Sequence, residues 1–121
     1  MPYISVNVAQ PLNDEQKTDL ARAISQAVTV FSGKPRPEVS MVDIEDGKMM
    51  FFGDQPLEHA AYVEIGVQGH YAYEEKDAYT AQVTKVLEEQ LAIPSNAVYL
   101  TVSEYDIWGV RGKQMTGKPA E

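Results

Sequence analysis

The chain has 121 residues, enough for one domain with an ordinary hydrophobic core, and its 44% apolar and 23% charged residues are typical of a soluble globular protein. A formal net charge of -8 argues against nucleic acid or an anionic membrane as a partner, and the lack of cysteine excludes disulfides, thiolate metal sites and cysteine nucleophiles. Neither a signal peptide nor an apolar stretch of membrane-spanning length is visible in the sequence, so we expect a cytoplasmic protein.

The first third of the chain predicts a strand, a helix and a second strand. Tyr3 to Val8 alternates apolar and polar residues, as a half-buried strand does. Asn13 or Asp14 can cap a helix whose apolar stripe lies on one side, and Gly33 suits the left-handed position just after its end. The residues from Val39 to Ile44 have the composition of a strand.

The remainder of the chain repeats this order after a short insertion. Gly47 to His59 predicts an extra strand and a turn. A second unit follows, with a strand at Tyr62–Val67, a helix from about Tyr73 to Leu91 and a strand at Ala97–Ser103. We expect another short strand within Asp106–Gly112 and a loose tail from Lys113 onward.

The two units are related by an internal repeat with a period of 59 residues. Ile4, Val6 and Val8 return as Val63, Ile65 and Val67. The match continues through the helix and into the second strand, without a gap from residue 4 to about 45. Self-similarity at a fixed spacing indicates a duplicated structural unit. We therefore expect one domain spanning residues 1–121, made of pseudo-repeats 2–46 and 61–105.

A duplicated β–α–β unit predicts an α/β (α+β) fold with a four-stranded mixed sheet and both helices on one face. The face toward the helices should carry Ile4, Val6, Val63, Ile65, Val98 and Leu100. The opposite face should carry Tyr3, Ser5, Asn7, Val42, Ile44, Tyr62, Tyr99 and Thr101. Sheets with parallel strand pairs rarely leave a face open to water, so we expect other copies of the chain to cover it.

Several short segments together resemble the tautomerase superfamily, in its macrophage migration inhibitory factor branch. They are Pro2, the duplicated unit, Gly33-Lys34-Pro35 before a strand, Phe52-Gly53, Ile65-Gly66 and Val98-Tyr99-Leu100. The resemblance extends to about Gly112. It implies a homotrimer whose three sheets form a barrel, with active sites at subunit boundaries. It also implies an isomerase, a phenylpyruvate tautomerase-like intramolecular oxidoreductase that needs no cofactor and converts phenylpyruvate-like or dopachrome-like keto acids.

The resemblance also implies roles for individual residues. Pro2, exposed by removal of Met1, corresponds to the catalytic base, and Tyr99 corresponds to a catalytic tyrosine that the neighbouring subunit contributes. The implied substrate-binding residues are Lys34, Ile65 through its backbone, Thr101 and Trp108. Thr101 departs from the family pattern, which has asparagine there, and the CxxC motif of the vertebrate members is missing.

The chemistry of a terminal proline fits this role. A tautomerase needs a base that is active near neutral pH, and an α-amino group titrates near ~8, below the range of lysine. Burial in an apolar pocket would lower this pKa further, and the ring of Pro2 fixes the direction of the amine. No metal site is expected, because His59 and His70 have no partner at metal-ligand spacing and are predicted to be surface residues.

Two alternatives remain open from the sequence. A cationic Pro2 could serve a decarboxylase or hydratase, with Arg36 and Arg111 as candidates to hold a carboxylate. The chain could instead be a cytokine-like signalling ligand with a vestigial pocket, since this branch includes members exported without a signal peptide.

Overall fold

The structure, a computed structural model, describes residues 2 to 116 and contains one four-stranded sheet, two long helices and two short hairpins. The elements are β1 (Tyr3–Val8), α1 (Asp14–Gln26), β2 (Met41–Glu45), β3 (Met50–Phe52), β4 (Gln55–Leu57), β5 (Ala61–Gln68), α2 (Tyr73–Leu91), β6 (Val98–Tyr105), β7 (Ile107–Val110) and β8 (Lys113–Thr116). Three 3-10 turns cover Ala27–Val30, Pro37–Val39 and Ser95–Ala97.

The main sheet has the strand order β2-β1-β5-β6. Within each unit the two strands are parallel, and the central pair β1–β5 is antiparallel. This mixed sheet, with both helices on one face, confirms the predicted fold class. The hairpins β3–β4 and β7–β8 form separate two-stranded sheets.

The helix termini follow their local sequence. Asn13 caps α1, because its Oδ1 accepts the N–H of Gln16 at 2.8 Å while the Gln16 side chain accepts the N–H of Asn13 at 2.9 Å. The helix α2 occupies the predicted range, and Ala92, which follows its last residue, has a left-handed backbone with φ 56°.

The hydrophobic core lies between the helices and one face of the sheet. Alternate residues of β1 and β5 point into it and are almost completely buried. The fully buried side chains of the strands and helices include Tyr79, the largest of them, and Ile4, Val6, Val63, Ile65, Leu20, Ile24, Val83 and Leu87. Each such side chain contributes about 1.5–3 kcal/mol relative to an exposed one, so this layer provides most of the stability of the fold.

The gapless register predicted for the repeat is wrong in the second strand of each unit. Tyr3 pairs with Met41, whereas its repeat equivalent Tyr62 pairs with Tyr99, so the second strands are related by 58 residues rather than 59. A shift of one residue moves a side chain to the other face of a sheet. Val42 and Ile44, predicted on the open face, therefore pack against the core.

The same offset appears in an ion pair that both units contain. Asp46 accepts the N–H of Leu12 at 2.6 Å and lies 3.2 Å from Nζ of Lys17. In the second unit, Glu104 accepts the N–H of Tyr71 at 2.7 Å and lies 3.2 Å from Nζ of Lys76. Each carboxylate thus joins the end of the second strand to the start of the helix in its own unit.

Two further expectations are corrected. Gly33 does not adopt the left-handed conformation, and the residue that does is Lys34, with φ 53°. The segment from Lys113 is not a loose tail over its first four residues, because they form β8 and pair with β7. The rest of the predicted tail lies outside the described residues. In the described part of the chain, no helix has the length and apolar character to span a membrane.

Candidate active site

The open face of the sheet, away from the helices, is organised in three rows of side chains that run across the strands. The row at the start of β1 contains Met41, Tyr3, Gly66 and Ser103. The middle row contains Asp43, Ser5, Glu64 and Thr101, and the far row contains Glu45, Asn7, Tyr62 and Tyr99. These rows decide which of the predicted site residues can lie close together in one subunit.

Pro2 comes directly before Tyr3, which belongs to the first row. It is buried, and its carbonyl oxygen accepts the N–H of Met41 at 3.1 Å. This bond fixes the residue at the point where β1 and β2 begin side by side. The candidate base therefore lies directly before β1, at the end of the sheet.

A cleft of about 440 Å³ lies at the same end of the sheet. Its lining includes Tyr3, Ser5, Glu64, Ile65, Gly66, Ser103, Tyr105 and Trp108. The rings of Tyr105 and Trp108 are 5.9 Å apart and tilted against each other. The cleft therefore has an aromatic wall, formed by the end of β6 and the start of the β7–β8 hairpin.

Polar groups line the rest of this cleft. The hydroxyl of Tyr3 donates to Oδ2 of Asp43 at 2.9 Å, and this hydrogen bond raises the pKa of Tyr3. The side chain of Ile65 points to the core and is only 1% exposed. A ligand in the cleft could therefore meet Ile65 only through its backbone, as the resemblance implies.

Lys34 lies in the connection from α1 to β2. Because a β–α–β crossover returns the chain to the end of the sheet where the first strand began, this connection lies at the same end as Pro2. The side chain of Lys34 is exposed, and its backbone N–H donates to the carbonyl of Phe31 at 3.1 Å. Lys34 thus lies at the same end of the sheet as the cleft, and its own backbone is left-handed.

Tyr99 and Thr101 lie further along the sheet. Tyr99 is in the far row, two strands away from Asn7. Asn7 lies five residue steps along the strand from Pro2, about 16 Å, so Tyr99 is farther than that from Pro2. The hydroxyls of Tyr62 and Thr101 are 2.9 Å apart and line a second, shallow cleft with Tyr99. One chain therefore brings Pro2, Lys34, Ile65 and Trp108 to one end of the sheet, but not Tyr99.

Within residues 2–116, no group of three or more side chains of the metal-ligating types is assembled. His70 is exposed, as predicted, but it has a carboxylate partner, since its Nε2 lies 2.7 Å from Oδ1 of Asp106. This contact raises the pKa of His70, with a smaller contribution from Glu104 at 3.7 Å.

Comparison with known proteins identifies the family. The family model for macrophage migration inhibitory factor (MIF) matches residues 1–117. The chain belongs to the MIF family. Its fold is that of the tautomerase superfamily, to which the MIF family belongs. A comparison with curated proteins gave no match.

Solved structures similar to this MIF-family chain agree with that placement. Leishmania major MIF2 has 23% identity and a TM-score of 0.85, with coverage of 95% of this chain and 97% of that one. Pt0534, solved after inactivation by 2-oxo-3-pentynoate, has 19% identity and a TM-score of 0.79 over 91% and 93% of the two chains. An asymmetric trimer of wild-type fused 4-OT has 16% identity and a TM-score of 0.77 over 92% and 94%.

The close packing around Gly66 in this MIF-family chain was not found by sequence reasoning. A Cβ at Gly66 would lie 3.3 Å from Cε2 of Tyr105 and 3.7 Å from Cη2 of Trp108. Glycine therefore allows the aromatic wall to lie directly against β5. A glycine inside a strand pattern can indicate such a close approach, but it does not indicate which side chains approach.

Proposed function

We propose that this MIF-family chain is a cofactor-independent keto–enol tautomerase, an isomerase of phenylpyruvate-like or dopachrome-like keto acids, with Pro2 as its general base. The observation that carries the proposal is the placement of a buried Pro2 at the start of β1, next to Tyr3 of the aromatic cleft. Lys34 and Trp108 lie at the same end of the sheet. A base, a cation and an apolar wall are the components that enolisation of an aromatic keto acid requires.

The reaction moves one proton from carbon to oxygen. Removal of Met1 leaves Pro2 with a secondary amine, whose pKa would lie below the ~8 of a free terminus because Pro2 is buried. The neutral amine takes the proton from the carbon next to the ketone, the electron pair of the broken C–H bond forms the C=C bond of the enolate, and the π pair of the carbonyl moves onto its oxygen. Tyr99 donates a hydrogen bond to this oxygen, and delivery of the proton from Pro2 to the same oxygen completes the enol.

Substrate binding follows from the same arrangement. Lys34 pairs with the carboxylate of the keto acid, and the aromatic ring of the substrate packs on Trp108. Pt0534 was inactivated by 2-oxo-3-pentynoate, itself a 2-keto acid, which supports a keto acid as the substrate class. The backbone of Ile65 forms the floor of the pocket.

The site requires a second subunit, because Tyr99 of one chain lies more than about 16 Å from its own Pro2. We propose a homotrimer in which the open sheet faces form a barrel and each chain supplies Tyr99 and Thr101 to its neighbour. The exposed apolar residues of this face support it, since Met41 is 68% and Tyr99 63% exposed in the single chain. The fused 4-OT structure, which is a trimer, supports it as well. We place this assembly in the cytoplasm.

The geometry favours tautomerisation over the decarboxylase or hydratase alternative. That alternative needs a free arginine near Pro2, but Arg36 lies 3.5 Å from a carboxylate oxygen of Glu38 on an exposed connection. Arg111 lies in the turn of the β7–β8 hairpin and is exposed. Parallel assays of phenylpyruvate enolisation and of a decarboxylation substrate separate the two reactions.

The experiment that tests the proposal compares protein with a free Pro2 amine with protein that retains Met1. Retained Met1 turns the amine into an amide, so enolisation should be abolished, and Pro2→Ala should lower kcat/KM by about 10². Circular dichroism should be unchanged, because the carbonyl of residue 2 still accepts the N–H of Met41. Full activity in protein shown by mass spectrometry to retain Met1 would falsify the assignment.

The assembly is tested separately by light scattering. The trimer should have three times the chain mass of 13.4 kDa. Mixed trimers of Pro2→Ala and Tyr99→Phe chains should recover activity that neither variant has alone, because some sites then combine an intact base with an intact tyrosine. A stable monomer at micromolar concentration, or mixed trimers without recovery, would contradict the shared site.

A further inference from the structure

The turn that carries Lys34 needs support from its surroundings. Lys34 has a φ of 53°, a conformation that costs a non-glycine residue energy and persists only where neighbouring contacts impose it. Part of the support comes from Phe31, whose carbonyl accepts the N–H of Lys34. Phe31 is 1% exposed, and its ring lies 4.8 Å from that of Tyr71 and 5.2 Å from that of Tyr79.

The second support comes from the other unit of the repeat. Oε1 of Glu75, in the first turn of α2, accepts the backbone N–H of Ser32, two residues before Lys34. Oε2 of the same carboxylate accepts the N–H of Ala72 at 3.2 Å. One half-buried carboxylate therefore joins the start of α2 to the turn that carries Lys34.

The equivalent residue in the first unit of the repeat lacks the second hydrogen bond of Glu75. Gln16 occupies the equivalent place in α1, and its side-chain oxygen accepts the N–H of Asn13. An amide has one acceptor oxygen, whereas a carboxylate has two. Glu75 therefore gives one oxygen to the cap of its own helix and the other to the N–H of Ser32, whereas the amide of Gln16 would have to use a single oxygen for both.

We propose that Glu75 is a positioning residue for Lys34, acting through Ser32 to hold the lysine where it binds the carboxylate of a keto acid. The inference rests on the proposed function, because it assigns Glu75 to the substrate-binding step of that reaction. Glu75 does not touch substrate. Hydrogen bonds from the Ser32 side chain and backbone lower the pKa of Glu75, so the carboxylate is ionised at the pH of an enolisation assay.

The test uses Glu75→Gln, which keeps an oxygen for the helix cap, as in Gln16, but replaces the oxygen that faces the N–H of Ser32 with an NH2 donor. The KM for phenylpyruvate should rise about tenfold, the scale of one lost hydrogen bond to a charged group, while kcat stays within about twofold. Glu74→Gln removes the same charge from the same helical turn and should change neither constant. In a Lys34→Ala background, Glu75→Gln should have no further effect on KM, because the lysine it positions is gone.

Amide hydrogen exchange gives a second readout that does not depend on activity. The Ser32 amide should exchange about tenfold faster in Glu75→Gln than in the wild type or in Glu74→Gln. An unchanged KM, an unchanged Ser32 exchange rate, or a rise in KM that persists without Lys34 would overturn the role of Glu75. If the wild type does not enolise phenylpyruvate, the proposed function fails and takes the inference with it, even where the Ser32 amide responds.

Discussion

Replacing Lys34 with glycine should stabilise the fold and weaken substrate binding in one step. The backbone of Lys34 is left-handed at φ 53°, which costs an L-residue about 1–2 kcal/mol. Glycine removes that cost but loses about 0.5–1 kcal/mol more conformational entropy on folding. The expected net gain is about 0.5–1 kcal/mol, which corresponds to about 2–4 °C in Tm for a chain of this size.

Matched variants separate the two effects. Lys34→Ala removes the ammonium but keeps the strain, so it should raise the KM for phenylpyruvate without raising Tm. Ala92→Gly removes comparable strain at φ 56°, at the end of α2, and should raise Tm without changing KM. All variants are compared by thermal and urea unfolding at one protein concentration, since oligomers unfold in a concentration-dependent way. A Lys34→Gly variant no more stable than Lys34→Ala would refute the reasoning about strain.

Three other substitutions test the described contacts. Gly66→Ala places a Cβ 3.7 Å from Trp108, so the emission of this single tryptophan should shift, and unchanged emission would contradict the close packing. Tyr79→Phe removes a buried hydroxyl that has no hydrogen-bond partner among residues 2–116, so the unfolding free energy should rise by about 1 kcal/mol; a comparable loss would show that this hydroxyl is bonded. Asp106→Asn should lower the pKa of His70 in an NMR titration. Because the folded pKa is the raised one, the stability from this contact is complete below ~6.5 and is lost as pH rises through the folded value, and an identical pKa in both proteins would rule the contact out.

The sequence predicted the elements well because their patterns are local. The 3.6-residue stripe of α2 and the two-residue alternation of β1 each need only one segment to be recognised. The repeat of 59 residues held for the first strand and the helix of each unit, because their buried residues recur at that spacing. It failed at the second strand, where the connection after Ala92 is one residue shorter than the connection after Gly33, and this moved Val42 and Ile44 to the core face.

The sequence by itself determined the fold class and the duplication of the β–α–β unit. The resemblance added the MIF family and the candidates Pro2, Lys34 and Trp108. Only the tertiary structure decided which of them share one end of the sheet. It also showed that Tyr99 lies at the other end and that Glu75 accepts the N–H of Ser32, two residues before Lys34. Hydrophobic periodicity encodes which face of an element is buried, whereas contacts between distant segments depend on strand register and on connection length, which no single segment records.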